Sequence, residues 1–300
     1  IQWICFIMST PFFGHQKQRN YLQKVLKSKR LAHAYLFYGP AKVGKFTFAK
    51  QFANSLPIGS HTIILSQEQT LVSKKDKKKE IPIGDIRELR KKFSLTGSGS
   101  KWRVAIIDEA DKMSVEAANA FLKLLEEPGA NILFIFITAD KDALLPTIVS
   151  RTQPILFSLV GEEEMKKMAA TLSPDEETKN IACWFAAGRP GVLTQLLSQK
   201  DVLEKEKKIL KELHGILITQ DISRAFLLTE KVSSDEDERD KTIEYLIRLI
   251  RAKLLKGQIK PSPLELVEKI KNISRVSSML RTTNVNSRLA MDNIFLEAIS

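Results

Sequence analysis

The sequence predicts an α/β domain built on a parallel sheet, followed by two helical segments. Three observations carry this. Up to about residue 160, short β-branched or aromatic apolar runs alternate with helical patterns. From Glu162 to Leu197 the pattern is helical, interrupted by a turn signal at Gly188-Arg189-Pro190-Gly191. From about 201 onward Leu, Ile and Lys recur at helical spacing. The expected boundaries are therefore 1–160, 161–200 and 201–300.

The expected strands are Ala34–Tyr38, Thr62–Leu65, Val104–Ile107, Leu133–Thr138 and Ile155–Phe157. They are apolar almost throughout, as strands buried on both faces must be. A helix is expected over Phe46–Leu56, directly after the first strand. Ser73–Glu80 (SKKDKKKE) is a charged low-complexity insert, and Thr96–Ser100 (TGSGS) a flexible turn. The acidic stretch Ser233–Asp240 is expected to be a solvated loop. Leu246, Leu249, Ile250 and Leu254 form an apolar stripe that should pack the last segment's own core. No internal repeat is present.

At 300 residues, with 43% hydrophobic and 27% charged side chains, the chain has the composition of a globular protein of about two domains. The formal charge of +12 is unevenly placed: +11 on residues 1–160, −1 on 161–200 and +2 on 201–300. A polyanionic partner for the first segment is compatible with this balance. Two cysteines, Cys5 and Cys183, exclude a disulfide-dense scaffold and a four-cysteine zinc site, so no zinc and no other metal site is expected. They fit a reducing cytoplasm. The longest apolar run, Ile132–Ala139, is far shorter than the roughly 18 residues of a spanning helix, so no membrane role is expected. The first seven residues lack a basic leader, and translation is expected to start at Met8.

Gly39-Pro40-Ala41-Lys42-Val43-Gly44-Lys45 sits between the first strand and the following helix, which is the setting of a phosphate-binding loop. Its glycines let backbone N–H groups wrap a phosphate, the helix N-terminus adds positive potential, and Lys45 reaches the outer oxygens. Gly39, Lys42, Gly44, Lys45 and Thr47 are the candidate nucleotide-binding residues. Phe46 stands where the motif has Ser or Thr, whose hydroxyl ligates Mg²⁺. Thr47 is rotated by about 100° on the helix and is not expected to replace that ligand. Val104–Ile107 ends in Asp108-Glu109. In ATPases of this type the first acid holds Mg²⁺ through water and the second polarises the attacking water. Asp108–Asp111 also spells DEAD, but the chain is too short for two helicase domains.

Arg87, Arg90 and Lys91 share one helix face at i, i+3, i+4 spacing, either as DNA phosphate contacts or as a solvated face. Lys74, Lys75, Lys77, Lys78 and Lys79 are read as a solvated loop. His15 and His33 have no metal-spaced partners and are read as structural or adjacent to the nucleotide.

Several of these blocks resemble one family. Leu31–Phe37 running into the phosphate loop resembles the opening of bacterial clamp-loader subunits. So do Asp108-Glu109-Ala110-Asp111-Lys112-Met113 and the stretch Ala117–Pro128. Asn284–Ala290 is similar to the collar tail of the delta prime type in DNA polymerase III. The resemblance implies a RecA-like AAA+ P-loop domain, an all-α lid and an all-α collar. It makes Thr138 a sensor 1 residue. It makes Arg151, in Ser150-Arg151-Thr152, an arginine finger supplied to a neighbouring subunit's ATP. It implies gamma/tau motor subunits, the delta subunit, the sliding clamp and primer-template DNA as partners. The loss of the hydroxyl at Phe46 implies weak ATP binding at the chain's own site, with Mg²⁺ in doubt. The sensor 2 arginine expected three residues after Gly188 is replaced by Gly191. These departures favour the delta prime type over an active gamma/tau-type motor.

Overall fold

The computed structural model describes residues 13–28, 30–57, 60–67, 80–95, 101–255 and 262–299. Met8, Cys5, the lysines of 74–79 and the Thr96–Ser100 turn lie outside them. The chain forms two compact units, Ile1–Gln199 and Lys200–Ser300.

The first unit is built on a five-stranded sheet. Its elements run α1 (Gln16–Ser28), β1 (Ala34–Tyr38), α2 (Lys45–Asn54), β2 (His61–Leu65), α3 (Ile83–Leu95), β3 (Arg103–Ile107), α4 (Val115–Glu126), β4 (Ile132–Thr138), α5 (Pro146–Val149) and β5 (Gln153–Leu156). The strand order is β2-β3-β4-β1-β5, with every neighbouring pair parallel. The core strand β4 is buried along its whole length. Alternation along the strands divides the core by face. Leu36, Ala105, Ile107, Phe134 and Phe136 meet Ile86, Leu89 and Phe93 of α3, Phe121 and Leu125 of α4 and Ile148 of α5. Tyr35, Phe37, Val104, Ile106 and Ile135 meet Leu22 of α1 and Phe48 and Phe52 of α2.

Each expected strand is present, with ends shifted by a residue or two. The largest shift is at β5, which begins at Gln153 and ends at Leu156. Its pairing carries on through the Phe157 N–H, which donates to the Tyr38 carbonyl at 2.8 Å. β5 is an edge strand, so it tolerates Pro154 and polar neighbours.

Three helices complete the unit: α6 (Glu162–Leu172), α7 (Glu176–Ala186) and α8 (Pro190–Ser198). They pack on one another through Met165, Ala169, Ala182, Phe185 and Leu193. Ala187 and Gly188 take left-handed conformations at the turn signalled in the sequence. Cys183 is half-buried on α7.

The second unit contains α9 (Lys200–Thr219), α10 (Ile222–Val232), α11 (Glu236–Leu255), α12 (Pro263–Thr282) and α13 (Ser287–Ile299). The acidic stretch expected as a solvated loop is corrected here: only Ser233–Asp235 is a turn, and α11 starts at Glu236. The Asp235 carboxylate accepts the Glu238 N–H at 3.0 Å, so it caps the helix. The acids that follow sit in the first turn, where the helix dipole favours negative charge. Asn286 caps α13 in the same way, accepting from the Arg288 and Leu289 amides. The stripe Leu246 and Ile250 is buried in this unit's own core. The buried carboxylate Glu206 is satisfied by the Tyr245 hydroxyl at 2.9 Å and the Lys241 ammonium at 3.3 Å. Burial, more than the adjacent carboxylate, pushes the Tyr245 phenol up. Among the described residues no helix is long and apolar enough to cross a membrane.

Phe134 is fully buried between Phe93 and Phe121, with ring centroids 6.2 and 5.0 Å away. Phe134→Ala should cost about 3–5 kcal/mol of stability in urea unfolding. Val115→Ala, at a position 65% exposed, should change it by less than about 0.5 kcal/mol.

Candidate functional site

The loop between β1 and α2 takes its shape from glycines. Gly39 has φ 133°, and a Cβ there would lie 2.0 Å from the Phe157 carbonyl oxygen. Gly44, with φ 102°, is the residue preceding α2. Lys42 also has positive φ, at 61°. Together these turn the chain back so that α2 starts with its N–H groups at the mouth of a cavity of about 590 Å³.

Of the sequence-predicted residues, Lys42, Gly44, Lys45, Thr47, Asp108, Glu109 and Thr138 line this cavity. Gly39 does not; it lies behind the loop against Phe157. Thr47 lines the cavity alongside Phe46. Arg151, Arg87, Arg90 and Lys91 are elsewhere. Arg87 and Arg90 line a separate groove of about 470 Å³ between α3 and α4, with Lys123 and Glu116, and Lys91 is exposed outside it.

The Lys45 side chain is buried, and its ammonium donates to the carbonyls of Gly39 at 2.5 Å and Pro40 at 2.7 Å. Burial lowers its pKa to about 8, against the raising influence of Asp108 and Asp111. It therefore stays charged at pH 7 and loses its proton as pH rises through 8. Asp108 is fixed at the end of β3 by its N–H, which donates to the Leu65 carbonyl at 2.8 Å. Burial raises the Asp108 carboxyl, an effect opposed by the Glu109 N–H donating to it at 3.1 Å. Glu109 has φ 51° and is exposed.

Two residues that the sequence reading names without placing in the site line it as well. Asp111 lines the cavity, and its Oδ1 lies 2.8 Å from the buried Thr138 hydroxyl, which also accepts the Asp140 N–H at 3.2 Å. Its place in the acidic run Asp108–Asp111 was the available signal. Gly191 lies at the start of α8, where its N–H donates to the Lys42 carbonyl at 2.9 Å. A Cβ at 191 would lie 3.0 Å from that carbonyl oxygen, so glycine permits the close approach. The Lys42 ammonium reaches the Gln195 side chain at 3.3 Å. His15 sits beside the loop, its Nε2 2.9 Å from the Val43 carbonyl and its ring edge-on to Phe157. His33 lies just before β1, away from the cavity lining.

The cavity is lined by Lys42, Lys45 and Lys112 and opens at the start of α2, a setting suited to a phosphate-bearing ligand. It fits a Mg²⁺-bridged triphosphate poorly. Phe46 presents hydrocarbon where a hydroxyl ligand is needed, and its ring lies under the Lys50 ammonium at 5.4 Å. Among the described residues no group of three or more His, Cys, Asp or Glu side chains is arranged to hold a metal ion.

Residues 14–160 match the family model described as DNA polymerase III, delta subunit. The chain is 28% identical over 269 residues to DNA polymerase III subunit tau of Bacillus subtilis, covering 82% of this chain and 47% of that protein. It is 29% identical over 209 residues to DNA polymerase III subunit delta prime of Pseudomonas aeruginosa, covering 60% of this chain and 62% of that one. The chain thus spans less than two thirds of either relative. Among solved structures, a RuvB variant of Thermotoga maritima superposes with a TM-score of 0.50 at 16% identity, over 71% of this chain and 78% of that one, a likeness of fold.

The electrostatics of the cavity are open to direct titration. The Lys45 ammonium, followed by NMR of ¹³C-labelled lysine and assigned through Lys45→Met, should titrate near pH 8. Asp108→Asn and Asp111→Asn should each lower that midpoint, because both carboxylates favour the charged ammonium; a rise would contradict the arrangement. Gly191→Val should lift the start of α8 off the loop and accelerate hydrogen exchange of the amides of residues 189–193, with the fold retained.

Proposed function

We propose that this chain, which belongs to the clamp-loader family of DNA polymerase III, acts in DNA replication as a subunit of the delta prime type. In this reading it works in the cytoplasm, within an assembly that loads the sliding clamp onto primer-template DNA. Its direct partners are gamma/tau-type motor subunits and the delta subunit. Residues 1–160 form the AAA+ core, 161–200 the lid and 201–300 the collar through which subunits associate. Arg87, Arg90 and Lys91 are its candidate contacts to DNA phosphates.

The observation that carries the reading is a division between two places on the first unit. The chain's own cavity keeps the loop, Lys45, Asp108, Glu109 and Thr138, but holds Phe46 in place of the hydroxyl. Arg151 lies outside that cavity, on the surface after α5, with its side chain 38% exposed. That guanidinium does not line its own cavity and keeps exposed surface, which supports a role toward another subunit. A planar, permanently charged fork is suited to stabilising charge on a transferring phosphoryl group. ATP hydrolysis then belongs to the neighbours. The chain's own site binds nucleotide weakly, through loop N–H groups and Lys45, and Asp108 and Glu109 keep the form of catalytic acids without a metal to act on.

Two measurements test this. ATP titrated into the isolated chain should bind weakly and with the same affinity whether or not Mg²⁺ is present; robust turnover by the chain alone, abolished by Lys45→Ala, would mark it as a motor. In a reconstituted clamp loader, Arg151→Ala should leave assembly intact and slow DNA-stimulated hydrolysis by at least about tenfold, since a finger contributes on the order of 10³–10⁵ at the site it serves. An unchanged rate removes the finger.

A further inference from the structure

We infer that Glu126 is a positioning residue for Arg151, holding its guanidinium in the orientation in which it is presented to a neighbouring subunit. This rests on the finger reading above and names the part of this chain that sets the finger's geometry.

Arg151 is tethered at two different nitrogens. Its Nη2 donates to Glu126 Oε1 at 3.0 Å, and its Nη1 donates to the Thr147 carbonyl at 3.1 Å. One tether would leave the planar group free to swing about a single bond. Two tethers on separate nitrogens fix its plane, and the remaining donors of the five-donor fork stay available to an incoming anion.

Both tethers are held by the core. Glu126 is the last residue of α4 and follows Leu125, which is 2% exposed. Thr147 precedes Ile148, which is fully buried in the same apolar cluster as Leu125. The Arg151 backbone is fixed as well, its N–H donating to the Ile148 carbonyl at 3.1 Å. The acceptors are thus each one residue from an immobile anchor.

The pair is exposed, 38% on the Arg151 side chain and 53% on Glu126. Exposed ion pairs are weak, so the bond contributes little to folding and is readily exchanged for a phosphate oxygen. An anion that orients a cation without trapping it is what a finger serving in trans requires. A small misplacement of such a group is costly in rate.

The test uses the full reconstituted clamp loader and DNA-stimulated ATP hydrolysis, with wild type, Glu126→Ala, Glu126→Gln, Arg151→Ala and the double variant Glu126→Ala/Arg151→Ala. Glu126→Ala should lower kcat by about three- to tenfold with KM for ATP and assembly unchanged. Glu126→Gln, which keeps an oxygen acceptor, should restore most of the loss. The double variant should be no slower than Arg151→Ala, because Glu126 acts only through the arginine. If Arg151→Ala slows hydrolysis but Glu126→Ala does not, or if the two losses multiply, the positioning role is overturned while the finger stands. If Arg151→Ala itself has no effect, the finger falls and the positioning role with it.

Discussion

The α-carbon of Gly39 is pressed so close to the Phe157 carbonyl that no side chain fits between them, and much of the first unit's geometry follows from that approach. It ties the end of β1 to the chain leaving β5, where the Phe157 N–H closes the ladder onto Tyr38. Beyond that crossing the loop turns through the positive-φ residues Lys42 and Gly44. Lys45 is drawn under it, bonded to the Gly39 and Pro40 carbonyls, and α2 leaves at the angle that packs Phe48 against Phe37 and Phe157. The aromatic cluster behind the loop and the ammonium inside it both lie next to this close approach. Burying that ammonium costs solvation, which is why its pKa falls, and the two acids across the cavity offset part of the cost.

The same unit carries two separate polar regions. The cavity is lined by Lys42, Lys45, Asp108, Glu109 and Asp111. Arg151 is outside that lining, paired with Glu126 at the end of α4. These two regions are joined through α4. It starts at its Ser114 cap, just after the acidic turn that carries Asp111 into the cavity, and ends at Glu126 beside Arg151. Twelve helical residues span about 18 Å, so the helix is a rigid connection between the acids and the arginine.

Much of this was legible in the sequence because its signals are local. Apolar runs gave the strands, since parallel strands buried on both faces have no polar alternation to hide them. The glycine pattern after β1 gave the loop, and the acids after Val104–Ile107 gave the opposite wall of the cavity. What escaped was set by other physics. Gln153 and Pro154 were missed because an edge strand is exempt from the apolar rule. The start of α11 was read as a loop because acidic composition resembles solvated coil, although Asp235 followed by acids is a helix cap with its dipole satisfied. Asp111 and Gly191 enter the cavity through tertiary contacts to Thr138 and Lys42, which no local pattern encodes. Glu126 reads in sequence as one of two acids before a proline; only the fold places it beside Arg151.

The edge strand has one more consequence. In a parallel ladder alternate residues face the same neighbour, and the Phe157 N–H points toward β1. Pro154 and Leu156 therefore face outward. The first has no N–H to offer, and the carbonyl of the second is already taken by the Gln18 amide at 2.6 Å. A foreign strand approaching this side of the sheet meets a missing donor and an occupied acceptor, two residues apart. These two features oppose strand addition along this part of the β5 edge.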